Sequence, residues 1–92
     1  MRFEDSVDAR FGTSSDLRIR HNGTNSRIDN YTGTLQIRNT LDDADITLES
    51  DDGSGGVTPY ITLDGSITTT TFNQNARVVD SKRMGFGNAD DL

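Results

Sequence analysis

The residue best placed to do chemistry in this 92-residue chain is His21, its only histidine. An imidazole is a metal ligand and a proton carrier near neutral pH. In a threefold assembly one histidine per chain would supply three imidazoles around an axis, enough for a Zn or Fe ion. However, alternation from Leu17 and Ile19 brings His21 inward only at the end of a strand, directly before Asn22-Gly23. The spacing therefore reads His21 as a turn-stabilising residue bonded to backbone, and the metal role as the weaker candidate.

The other groups with chemical potential are carboxylates. Leu41-Asp42-Asp43-Ala44-Asp45 and Ser50-Asp51-Asp52-Gly53-Ser54-Gly55-Gly56 are acidic enough to suggest calcium. Neither has the alternating ligands and closing Glu of an EF-hand, nor the glycine-rich nonapeptide of calcium-binding solenoids, so both read as solvated loops. A glycosidase would need two acids at fixed separation in a groove, usually beside aromatics that stack on sugar. Here Tyr31 and Tyr60 stand alone. No nucleophile turn surrounds His21, so the expected catalytic set is empty, no cofactor is expected and the chain reads as a non-enzyme. The sequons Asn22-Gly23-Thr24 and Asn30-Tyr31-Thr32 are expected by chance in a chain rich in Asn and Thr.

The elements that must position these residues are short strands. Leu17-Arg18-Ile19-Arg20, Leu35-Gln36-Ile37-Arg38, Ile46-Thr47-Leu48-Glu49 and Ile61-Thr62-Leu63-Asp64 share one grammar of alternating apolar and polar residues. Period-two alternation sends each Leu/Ile pair to one face and the polar pair to the other. Shorter candidates are Ser26-Arg27-Ile28-Asp29, Ser66-Ile67-Thr68-Thr69-Thr70-Thr71-Phe72 and Arg77-Val78-Val79-Asp80. Asn22-Gly23, Thr32-Gly33, Asp52-Gly53 and Asp64-Gly65 punctuate them with residues that tolerate positive φ. Helical spacing is absent, and the expected fold is all-β with about seven short strands and tight turns.

Composition limits how such strands are buried. Only twenty of the 92 residues are Leu, Ile, Val or Phe, close to the level seen in disordered chains. The polar residues are mainly Thr, Asn, Ser and Asp, which favour turns and strands over a solvated coil. Two inward residues per strand make a core too thin for a lone sandwich, and the chain has no Trp. The pattern suits a β-solenoid or three chains wound about a shared axis, with burial completed by other chains or modules. The expected axis is Leu17, Ile19, Ile28, Leu35, Ile37, Ile46, Leu48, Ile61, Leu63 and Ile67. There is no cysteine and no apolar run of membrane-spanning length, so membrane insertion is not expected. The formal net charge of -6, without a basic cluster interleaved with aromatics, argues against nucleic acid.

Phe11-Gly12-Thr13-Ser14-Ser15-Asp16-Leu17 returns as Phe86-Gly87-Asn88-Ala89-Asp90-Asp91-Leu92, identical at Phe, Gly, Asp and Leu. The expected organisation is a connector or the end of a preceding module over 1–10, one all-β repeat module over 11–85, and the start of the next copy over 86–92, with Phe11, Gly12, Phe86 and Gly87 marking the junctions.

The stretch from Phe11 resembles the repeated modules of bacteriophage tail-fibre and tail-spike proteins, especially those of marine phages. Their pattern F-G-x-x-x-D-L-x-I-x-H-[DN]-G-x-x-S-x-I, followed by x-x-G-x-L-x-I, matches at Phe11, Gly12, Asp16, Leu17, Ile19, His21, Asn22, Gly23, Ser26, Ile28, Gly33, Leu35 and Ile37. The match is specific over 11–37, weakens to a general β-repeat likeness over 41–72 and returns over 86–92. Arg20 departs from the aromatic expected there. The resemblance implies an intertwined homotrimeric β-helix or β-prism, stacked end to end as a shaft or adaptor segment of a virion appendage that supports host attachment. It also implies that an inward His21 would have a precedent in iron-binding phage fibres. The competing expectation is a module whose loops after Asn39 and Asp51 bind a host glycan or receptor.

Overall fold

The computed structural model describes residues 1–89, which carry six short strands and no helix. The chain divides into two compact units, Met1–Ile37 and Arg38–Leu92, and each contains one three-stranded antiparallel sheet.

In the first unit the order is β1 (Ala9–Phe11), β2 (Leu17–His21), β3 (Ser26–Asn30). Ile19 lies opposite both Ala9 and Ile28, and Leu17 opposite both Phe11 and Asn30, so one face is largely apolar. The intervening positions put Arg18 opposite Arg10 and Asp29, and Arg20 opposite Arg27, on the other face. The β1–β2 connection turns at Gly12, whose φ of +97° lies in the left-handed region where a side chain would be strained. The Asn22-Gly23 turn forms as expected. Asn22 closes it by accepting at Oδ1 from the amides of Thr24 (3.0 Å) and Asn25 (2.8 Å).

The second unit repeats this architecture with β4 (Ile46–Asp51), β5 (Val57–Asp64) and β6 (Thr69–Phe72), the first two longer than their counterparts. Ile46 and Leu63 pair on one face next to Thr70, as do Leu48 and Ile61 next to Phe72. Thr47, Thr62 and Thr71 line up across the other face. The β4–β5 register shifts after Leu48, where Glu49 faces Pro59 and Tyr60 becomes the extra residue of a bulge. A bulge admits Pro59 into a central strand, and β6 pairs only with residues 61–64. At the β5–β6 turn Gly65 is required by proximity: a Cβ there would meet the Ala44 carbonyl oxygen.

Three strand expectations are corrected. Leu35-Gln36-Ile37-Arg38 and Arg77-Val78-Val79-Asp80 belong to no sheet, because alternation selects a face but a strand exists only with a ladder partner. The run from Ser66 contributes only Thr69–Phe72, since residues 65–68 form the turn and Thr68 takes φ 54°. Conversely, Ala9–Phe11 forms β1, a strand that the sequence did not announce because three residues are too few to show a period.

Candidate functional site

No residue among those described is buried, so each sheet presents its apolar face to solvent. In the first unit this face is Phe11 (52 % exposed), Leu17, Ile19 and Ile28 (59 %). In the second it is Ile46, Leu48, Ile61, Leu63 and Phe72 (55 %). Beside Ile46 and Leu63 the second face dips into a concavity of about 330 Å³ that reaches Gly65.

Seven of the ten expected axis residues are thus gathered, Leu17, Ile19 and Ile28 on one face and Ile46, Leu48, Ile61 and Leu63 on the other. Leu35 and Ile37 lie in the irregular segment after β3, and Ile67 lies in the β5–β6 turn, all exposed. Phe11 and Phe72 join the apolar faces although the sequence assigned one to a junction and the other to no role. Cross-strand register reveals them, and register is not written in a single strand's alternation. Gly12 and Gly87 both take positive φ, +97° and +78°, but Phe11 lies in β1 whereas Phe86 belongs to no strand. Asp90, Asp91 and Leu92 of the second copy lie outside the described residues.

The polar face of the first sheet is organised by Asp8, whose side chain is 7 % exposed. Its Oδ1 accepts from Arg20 Nε at 2.5 Å, and its Oδ2 pairs with Arg10 Nη2 at 3.4 Å. The hydrogen bond from Arg20 holds the Asp8 carboxyl below its ordinary pKa, against a smaller opposing effect of desolvation. Alongside, Arg27 pairs with Asp29 at 3.0 Å. Arg18 donates to the Ser15 carbonyl, and its guanidinium lies 4.5 Å from the centre of the Tyr31 ring.

His21 ends β2 opposite Ser26, and its Nδ1 lies 2.9 Å from Ser26 Oγ. Its partner is a side chain across the hairpin rather than the backbone expected from the sequence. The acidic loops are used as turn closures. Asp52 Oδ1 accepts from the amides of Ser54 (2.7 Å) and Gly56 (3.0 Å), Asp51 Oδ2 from Gly53, and Asp45 Oδ1 from Gly65. The bonds from Ser54 and Gly56 hold the Asp52 carboxyl below its ordinary pKa, and the Ser66 hydroxyl does the same for Asp64. Among the described residues no three His, Cys, Asp or Glu side chains converge as metal ligands, and no helix is long and apolar enough to cross a membrane.

The described residues form two small antiparallel sheets and no helix, and each sheet has an exposed apolar face. Comparison with protein-family models, curated proteins and solved structures found no match.

Proposed function

We propose that the chain is a structural module of a viral tail fibre, a homotrimeric β-rod that stacks end to end and supports host attachment. The observation that carries this reading is the exposure of both apolar faces, with no buried residue among those described. Covering an apolar face removes its area from water at roughly 25 cal/mol per Å². Each of the two units has one such face and, among its described residues, no layer of its own to cover it. Copies arranged about a common axis supply that layer, and the resemblance of residues 11–37 to tail-fibre repeats supports a threefold arrangement. The mechanism is mechanical: a rod of interlocked sheets holds a receptor-binding tip away from the virion.

Size-exclusion chromatography with light scattering tests the reading. A species of three 10.1 kDa chains is expected. A folded monomer at all concentrations overturns it.

A second reading is favoured by the 52–56 loop, which is exposed yet fixed by its bonds to Asp52, with Tyr60 Oη donating to the Asp51 carbonyl at 2.6 Å. A loop held in shape without packing is suited to contacting a host glycan or receptor. Glycan-array binding by the module, lost when 53–55 are replaced, tests it.

A further inference from the structure

Residues 34–38 have the chain's strand grammar and no sheet. Leu35 and Ile37 alternate with Thr34, Gln36 and Arg38, and Ile37 is 69 % exposed. None of these five residues makes a hydrogen bond or ion pair within the described chain. The neighbouring strand has the complementary deficiency. β3 pairs only with β2, so its outer edge is open; it carries the charges of Arg27 and Asp29 but neither a proline nor a bulge. Its five residues match the segment in length, with Ile28 on the apolar face and Arg27 and Asp29 on the charged one.

We infer that residues 34–38 are a fourth strand of the first sheet supplied in trans, adding to the open β3 edge of a second copy of this chain. Antiparallel pairing with Ile37 opposite Ile28, a register one residue off end-to-end alignment with β3, extends the apolar face with Leu35 and Ile37 and sets Gln36 and Arg38 on the face that carries Asp29. Exchange between copies is favoured over closure within one chain by the connector. Only residues 31–33 separate β3 from the segment, yet they bend through Gly33 at φ +76° without forming a hairpin. A short hinge that leaves both an edge and its strand unpaired is the geometry of a strand swap. The inference rests on the proposed oligomer and adds which backbone joins the copies.

Hydrogen exchange read by mass spectrometry on the full chain, at concentrations above and below assembly, tests it. The amides of 36–38 should slow about tenfold or more on assembly and return to free rates on dilution. Gln36→Pro removes one amide where a single chain uses none, and should raise the half-assembly concentration about tenfold or more, while Gln36→Thr should not. An oligomer in which 36–38 exchange freely, or in which the proline variant assembles like the parent, overturns the swap and leaves the oligomer standing. Protection that persists in the diluted monomer shows closure within one chain and also overturns it. A monomer at every concentration overturns both readings.

Discussion

The two sheets share a topology and an apolar face, but they hold their polar faces in different ways. The first does so with charge: Asp8 is shared by Arg20 and Arg10, and Arg27 pairs with Asp29. The second uses hydroxyls, with Thr47, Thr62 and Thr71 in one row, Thr47 donating to Glu49 (3.0 Å) and Thr62 to Asn73 (2.7 Å). Net charge follows the same division. Residues 1–37 hold five arginines against five acids, so the entire -6 falls on residues 38–92. Charged contacts weaken with salt, whereas bonds to neutral donors hardly do, so the sheets should respond differently to ionic strength and to pH.

The largest expected effect is from Ile61→Asp, at the centre of the second apolar face between Leu48 and Phe72. In the proposed oligomer a carboxylate on this face should abolish assembly, with a loss of roughly 3 kcal/mol or more, read by light scattering and thermal melting. Retention of the parent's mass would show that this face is not an interface, while the first sheet's face could still be tested by Ile19→Asp.

Gly65→Ala comes next. Its Cβ collides with the Ala44 carbonyl, so the β5–β6 turn must open, at about 1–3 kcal/mol. Faster hydrogen exchange should be confined to the second sheet.

Asp8→Asn should give a smaller loss, confined to the first sheet. Because its pKa in the fold lies below the ordinary value of 3.8, Asp8 contributes stability above that value and loses it as pH falls through the lower, folded one. Asp52 and Asp64 are lowered too and follow the same sign, but their partners are neutral amides and a hydroxyl. Molar salt at pH 7 should therefore speed exchange in β1–β3 and leave β4–β6 unchanged. Equal sensitivity in both sheets would erase the distinction.

The smallest effect is expected for Thr62→Val, which removes one exposed hydroxyl bond and keeps a β-branched strand former. A change of about 0.5–1 kcal/mol or less in thermal unfolding would agree with a row that acts through shape and local bonds.

Much of this architecture is legible in single residues. Alternation at Leu17/Ile19, Ile46/Leu48 and Ile61/Leu63 chose the right strands and faces, because side chains in a strand alternate whatever their partner. Asn22-Gly23 and Asp64-Gly65 located two of the turns, since their backbone demands are local. Leu35/Ile37 had an equally good pattern and forms no strand, because pairing is decided by an edge elsewhere in space. Phe11 and Phe72 could be assigned to apolar faces only through cross-strand register, and the shelter of Asp8 between Arg10 and Arg20 required the β1–β2 pairing. The sequence by itself determined an all-β chain with too little apolar surface for a private core, because composition and period are properties of the chain alone. Only the tertiary structure decided that this surface is split between two sheets and that two strand-like segments, 35–38 and 77–80, are left without a ladder, because hydrogen-bond partners and register are relations between distant residues.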